Sequence, residues 1–140
     1  MDFINFTIDE RLGIQTIDNQ HFELASLINQ LYNYFESDDY EAIKKTFPSL
    51  LQQIKLHFEH EEKLMIEHKF GGFYSHKMEH QQFYQNIKNV EHEFIKDQKI
   101  FDSTILESLR RWFFNHIELK DRKLAEHIKS REDLYEKGAN

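Results

Sequence analysis

The chain has 140 residues, a length typical of one domain, and it contains no cysteine, which excludes disulfide bonds and thiolate metal sites. A formal net charge of −7 argues against non-specific nucleic-acid binding, because phosphates would be repelled. The chain has no stretch of about 18–20 apolar residues and no N-terminal basic segment followed by an apolar run, so we expect a cytoplasmic protein with no membrane partner.

Four segments repeat apolar residues at steps of three and four, which indicates helices, and one proline with four glycines leaves little room for strands. Residues 1–17 are expected to form an ordered arm laid over the helices. The first helix is predicted to begin after Asp18, a good N-cap, and to end at the turn formed by residues 37–39.

The remaining helices follow the same period. The second is predicted over about residues 40–68, with a kink or a break at Pro48 and an end at the glycine pair 71–72. The third is predicted over about 73–96 and the fourth over about 103–128. The short connections favour a single domain with an antiparallel up-down-up-down four-helix bundle over residues 18–128, followed by a frayed tail over 129–140.

Polar residues interrupt the inward faces of all four predicted helices. Their distances from the turns place them in one layer of the bundle. Left without partners, each buried polar group would cost about 1–3 kcal/mol, a cost that a metal centre removes. These candidate metal ligands are His21, His57, Glu61, His76, His80, His116 and Asp121.

The size of this set predicts two metal ions. His57 with Glu61, and His76 with His80, have the i, i+4 spacing that directs two side chains of one helix toward one ion or a pair of ions. One zinc ion takes only about four ligands. Two octahedral ions offer about twelve positions, and the imidazoles, two bridging carboxylates and one oxo or hydroxo bridge fill about eleven. One position stays open for a small ligand, and mixed N/O ligands suit iron or manganese.

The fourth helix carries an irregular spacing. His116 and Asp121 are five residues apart, so an ideal helix would place them about 140° apart around its axis. We therefore expect either a one-residue π-bulge between Ile117 and Lys120 or a site offset to one side of this helix. The other histidines do not share the layer: His60, His92 and His127 are expected to face solvent. His68 is expected to cap the second helix, with an extra weak metal contact as the alternative.

Four fragments, which together span about residues 12–128, resemble the hemerythrins, specifically the bacterial single-domain branch. In chain order they are GIQTIDNQHFELASLIN, HFEHEEKLM, HKMEHQQF and LRRWFFNHIELKD. Each fragment is weak alone, whereas the ordered set of an isolated His, H-x-x-x-E, H-x-x-x-H and H-x-x-x-x-D is highly specific.

The resemblance implies a protein, not an enzyme, that binds O2 reversibly at two iron ions joined by an oxo or hydroxo bridge. Short helices with polar outer faces separately favour a monomer. It assigns His76, His80 and His116 to the coordinatively full iron. His21 and His57 would hold the iron with the open position, and Glu61 and Asp121 would bridge both ions.

The resemblance also implies a dry O2 pocket beside the ligands. Its side chains would exclude the water that promotes autoxidation. Each of them is equally well explained as ordinary core packing. These positions are Leu24, Phe58, Trp112 and Ile117.

Three other functions stay open at this point. A di-iron oxidase or peroxidase, or an iron- or nitric-oxide-handling protein, would use a similar bundle, but ferritin-like sites use mainly glutamate with Glu-x-x-His spacing, which this chain lacks. An O2 or redox sensor would need a separate partner protein. A purely structural zinc bundle is disfavoured by the number of ligands and by the lack of thiolates.

Overall fold

The computed structural model describes the backbone of residues 2–96 and 101–138, and the side chains within these ranges up to residue 132. Regular structure in these ranges is helical throughout. The elements are a 3-10 turn (Ile8–Glu10), α1 (Gln15–Glu36), α2 (Tyr40–Glu67), α3 (Phe73–Ile95), α4 (Ser103–Asn115), a π-helical segment (His116–Asp121) and α5 (Arg122–Gly138). Asn115, His116 and Arg122 all have right-handed helical dihedrals, so α4, the π-helical segment and α5 form one continuous helix. The predicted all-α four-helix bundle is confirmed.

The helix limits differ from the sequence prediction at several points. α1 begins at Gln15, four residues before the expected start after Asp18. α2 runs unbroken through Pro48, so the break is wrong, while the kink stays a prediction. The backbone of α5 is helical to Gly138, where a frayed tail was expected. Residues 97–99, expected to connect the third and fourth helices, lie outside the described residues.

Left-handed residues end both α1 and α2. Asp38 and Lys69 have φ angles of 54° and 53°. Beyond Asp38 the N–H of Asp39 donates to the carbonyl of Tyr34 at 2.8 Å, the bond that satisfies free carbonyls in a Schellman motif. In the second helix, Lys69 follows the C-cap His68, so the helix ends within one residue of the predicted limit of about 68 and ahead of the glycine pair 71–72.

A fully apolar core fills one half of the bundle. Phe101, which is completely buried, lies just before α4. Its ring centroid lies 6.0 Å from Phe35 of α1, 5.7 Å from Phe47 of α2 and 5.6 Å from Phe94 of α3. One aromatic ring thus ties the fourth helix to the other three. No helix in the described part of the chain is long and apolar enough to cross a membrane.

The opposite end of the bundle holds α5 against α2. Met65, Leu124 and Ile128 form a separate buried cluster there. His127 Nε2 and Arg131 Nη1 each donate to the carbonyl oxygen of His68 at 2.6 Å, and His68 is the C-cap of α2. The predicted cap is confirmed. His127, expected to face solvent, is half-buried and donates a hydrogen bond to this carbonyl.

The N-terminal arm is fastened to α1 by two groups of hydrogen bonds. Asn29 donates to the carbonyl of Ile4 at 2.9 Å and accepts from its N–H at 2.6 Å. Asp18 is not an N-cap: its buried carboxylate turns back and accepts the N–H groups of Leu12 at 2.7 Å and Gly13 at 3.0 Å. Gly13 has a φ of 87°, which strongly favours glycine.

We expect Asp18→Ala to lower the free energy of unfolding by about 2–3 kcal/mol, because the buried N–H of Leu12 and the part-buried N–H of Gly13 lose a charged acceptor. Urea unfolding of the metal-free chain measures this loss. Glu23→Ala, an exposed change on the same helix, is the control and should change stability by less than about 0.5 kcal/mol. Equal effects of the two substitutions would show that the Asp18 contacts do not stabilise the arm.

Candidate metal centre

All seven candidate ligands are buried and face one another in a single layer between the four helices. α1 contributes one of them, α2 and α3 two each, and the π-helical segment two. None is more than 6% exposed, and their ring nitrogens and carboxylate oxygens face each other. The set is His21, His57, Glu61, His76, His80, His116 and Asp121.

The two oxygens of Asp121 face two different pairs of imidazoles. Oδ2 lies 2.7 Å from Nε2 of His21 and 3.1 Å from Nε2 of His57. Oδ1 lies 2.8 Å from Nε2 of His116 and 3.5 Å from Nε2 of His76. A carboxylate in this position has one oxygen directed at each half of the site.

Glu61 lies at the centre of the cluster. Its Oε1 is 2.9 Å from Nε2 of His116, 3.0 Å from Nε2 of His57 and 3.4 Å from Nε2 of His80. Its Oε2 is buried and has no hydrogen-bond partner within the described residues. The same is true of Nε2 of His76 and of His80. A buried polar atom without a hydrogen-bond partner lowers the stability of the fold. These atoms are therefore available to bind a metal ion.

The donor atoms are close enough to share a metal ion. One group of four, Glu61, His76, His80 and His116, has its ligand atoms within 4.8 Å of one another. A second group, His57, Glu61, His116 and Asp121, meets the same limit. The two groups overlap in Glu61 and His116, as expected when adjacent ions share a bridging residue. Nitrogen and oxygen donors without thiolate fit a first-row metal such as iron or manganese.

The π-helical segment brings His116 and Asp121 to the same face. Its signature is the bond from the Arg122 N–H to the Ile117 carbonyl, five residues back. Widening the helix in this way removes the angular mismatch of the five-residue step. Of the two alternatives left open by the sequence, the π-bulge is confirmed.

The charges in this layer are strongly coupled in the metal-free chain. Burial disfavours the imidazolium of His57 and of His116, but the two carboxylates more than offset it and raise the pKa of His57 to about 9 and that of His116 to about 10. Burial and Asp121 favour the neutral form of Glu61, yet the same imidazoles lower its pKa to about 2. The pKa of Asp121 is also lowered, because His116 outweighs burial. In the metal-free chain, the imidazolium charges of His57 and His116 therefore balance the two carboxylate charges at neutral pH.

Two residues outside the predicted set bond the outer nitrogens of the ligand rings. Nδ1 of His57 lies 2.7 Å from Oε1 of Gln20, and Nδ1 of His80 lies 3.0 Å from Oε2 of Glu62. Such bonds orient imidazole ligands and select the tautomer. Gln20 directly precedes His21 and Glu62 directly follows Glu61, but neither is an inward position, so the helical period did not identify them.

Three of the four predicted pocket residues are buried in the apolar core, the fourth packs against it, and two of the four stack on rings of candidate ligands. Phe58 stacks on His80 with centroids 3.8 Å apart, and Trp112, which is half-buried, stacks on His116 at 5.2 Å. Leu24 and Ile117 are buried in the same core cluster. That these side chains form an O2 pocket stays a prediction.

Sequence reasoning missed the aromatic rings beside His21. Phe6 of the N-terminal arm lies 6.0 Å from the His21 ring, edge to face, and Phe113 lies 6.4 Å away. The two phenyl rings also contact each other at 5.7 Å. The arm therefore shields this side of the cluster, a contact between distant segments that no local pattern signals.

Comparison with known proteins agrees with this site. The model of the hemerythrin HHE cation binding domain matches residues 12–128. The chain belongs to the hemerythrin family. Proteins called bacteriohemerythrin from Pseudomonas aeruginosa and Clostridium acetobutylicum are each 31% identical to this hemerythrin chain, over 81% and 79% of its length and 73% and 90% of theirs.

Solved hemerythrin structures share the fold. A wild-type hemerythrin crystal structure superposes with a TM-score of 0.81 at 22% identity, covering 86% of this chain and 93% of that one. A mutant hemerythrin structure gives a TM-score of 0.86 at 22% identity, over 91% and 98% of the two chains. These similarities support the bundle and its connectivity.

We expect the metal-free chain to lose stability at alkaline pH. The raised pKa values of His57 and His116 mean that their ion pairs stabilise the fold fully below about pH 6.5 and are lost as the pH rises through about 9 and 10. Urea unfolding should show a fall of more than about 1 kcal/mol between about pH 7 and pH 10.

The metal-loaded chain is the control for this measurement. Its imidazoles are already deprotonated and bonded to metal, so its stability should change less over the same range. Metal-free unfolding curves that coincide at the two pH values would contradict the predicted charge coupling.

Proposed function

We propose that this chain binds O2 reversibly at a centre of two bridged iron ions held by the seven clustered side chains. The observation that carries the proposal is the position of the Asp121 carboxylate. Its two oxygens face separate pairs of imidazoles at 2.7–3.5 Å. A single ion would gather the donors around one point. A carboxylate shared between two sets of nitrogen ligands is the arrangement that bridges two ions.

The donors divide between the two ions as the hemerythrin resemblance implies. His21 and His57, which share Oδ2 of Asp121, would hold the ion with the open position. His76 and His116, which share Oδ1, would hold the full ion together with His80. Glu61 is proposed as the second bridge, because its Oε1 lies within 3.4 Å of imidazoles from both sets.

The protein supplies a site with more neutral imidazoles than carboxylates, set in apolar surroundings. When bound, the two iron ions supply the electrons that reversible O2 binding uses. Burial lowers the pKa of His21 and of His80, which keeps these rings neutral and ready to coordinate. Phe58 covers the His80 ring, and Phe6 covers the His21 side, so both exclude water. A site without water limits protonation of the bound O2 and its loss in reduced form, which would leave the iron oxidised.

The proposal describes a binding protein and not an enzyme. Membership of the hemerythrin family and a ligand set rich in imidazole support O2 binding over the oxidase and peroxidase alternatives. The monomeric state and the cytoplasmic location stay predictions of the sequence. Size-exclusion chromatography and cell fractionation would test them.

The direct test is the visible absorption of iron-loaded, anaerobically reduced protein as air is admitted and then removed. We expect a coloured band that appears with O2, fades on purging with argon and returns on re-exposure. A band that forms once and does not reverse, with peroxide accumulating, would overturn reversible binding in favour of the oxidase alternative.

The same preparation tests the ligand assignment. His80→Ala should lose iron and the coloured band together, because the site loses one donor and metal binding contributes to folding. His92→Ala is the matched control, since His92 is exposed on the same helix, and it should retain iron and colour. Retention of two irons per chain by His80→Ala would show that His80 is not a ligand.

The proposed pocket is tested by shortening Leu24. Leu24→Ala should keep the iron but autoxidise several-fold faster, because a cavity beside the site admits water. Leu31→Ala is the control: it creates a similar cavity on the same helix, ten residues from His21 and about 15 Å away along the axis. Equal autoxidation rates in the two variants, followed by the decay of the coloured band, would remove Leu24 from the pocket.

A further inference from the structure

Two ligand imidazoles have outer nitrogens bonded to groups of different charge. The partner of His57 is the neutral amide of Gln20, at 2.7 Å, and the partner of His80 is the carboxylate of Glu62, at 3.0 Å. In the proposed centre these two rings belong to different ions. The protein therefore treats the two halves of the site unequally beyond the ligands themselves.

Metal coordination determines the direction of both hydrogen bonds. Nε2 of each ring points into the cluster, so in the loaded protein the proton must lie on Nδ1, which then donates outward. Gln20 must accept through Oε1, and a second imidazole supports this orientation, because Nδ1 of His60 lies 3.2 Å from the same oxygen. His60 is half-buried for this reason, where the sequence predicted a solvent-facing residue.

A carboxylate and an amide affect a coordinated imidazole differently. An anionic acceptor pulls the Nδ1 proton toward itself and makes the ring a stronger electron donor to its metal. A stronger donor stabilises the higher oxidation state and lowers the reduction potential. A neutral amide holds the ring in place with much less of this effect.

We propose that Glu62 and Gln20 are positioning residues that give the two ions unequal reduction potentials, with the ion held through His80 oxidised more easily than the ion held through His57. This inference rests on the proposed di-iron function. The ion on the Gln20 side is the one with the proposed open position. The neutral partner keeps that ion in the reduced state that O2 binding requires.

Exchanging the charges tests the proposal. Reduction of the oxidised protein takes two electrons, one for each ion, and a potentiometric titration with dithionite under argon measures both steps. Glu62→Gln should raise the potential of the more easily oxidised ion, and Gln20→Glu should lower that of the other. The opposite signs are the key result, because a general structural loosening would not shift the two steps in opposite directions.

Surface charge alone is tested with matched controls. Glu59→Gln removes one negative charge from an exposed position of α2, and Asn19→Asp adds one at the exposed position beside Gln20. Both should leave the potentials close to those of the unaltered chain. If the controls shift the potentials as much as the Glu62 and Gln20 variants do, the effect is long-range charge and the proposal is overturned.

Stability and metal content separate this inference from the proposed function. Each variant is first checked for two irons per chain and for helical circular dichroism. If Glu62→Gln fails to load, Gln20→Glu still tests the proposal through its own potential. Unchanged potentials in variants that bind iron and O2 would reject the inference alone. Failure of the unaltered chain to bind two irons would reject both, and two irons without reversible O2 binding would reject only the proposed function.

Discussion

The structure depends on one constraint, the burial of five imidazoles and two carboxylates in a single layer of an apolar bundle. Their donor atoms cannot all satisfy one another, since Glu61 Oε2 and the inner nitrogens of His76 and His80 have no hydrogen-bond partner within the described residues. A bundle optimised for packing alone would place apolar side chains there. The layer makes physical sense when cations occupy it, and folding is then coupled to metal binding.

Apolar clusters lie on either side of this layer. The rings around Phe101 close one half of the bundle, and the cluster of Met65, Leu124 and Ile128 closes the other. The arm covers a third side, because Asn29 donates to it and Asp18 accepts from it, and these bonds hold it where the Phe6 ring contacts His21. Segments remote in sequence from His21 thus form part of its surroundings.

The environment of the layer also distinguishes its two halves. Phe58 stacks on His80 and Trp112 stacks on His116, both in the half proposed to hold the full ion. Phe6 and Phe113 lie beside His21 in the other half. Hydrogen bonding follows the same division, with a carboxylate behind His80 and an amide behind His57. The two halves of the layer therefore differ in the aromatic rings and hydrogen-bonding groups that surround their imidazoles.

The sequence by itself determined the helical class and the seven clustered residues. Helical periodicity reports which side chains face inward, and distances from the turns report their height, so His21 and His57 could be matched across 36 residues. The spacing of His116 and Asp121 even indicated the π-helical segment. Helix ends were less predictable. Aspartate is a common N-cap residue, but the Asp18 carboxylate accepts a hydrogen bond from the N–H of Leu12 in the preceding loop instead.

Only the tertiary structure decided which groups surround the ligands. Gln20, Glu62 and Phe6 lie off the inward periods, and their contacts depend on side-chain directions and on the path of the arm. Periodicity describes one helix at a time, whereas these contacts join separate segments at distances of a few ångströms. Local spacing therefore identifies the candidate ligands, and their surroundings form only when the helices and the arm pack together.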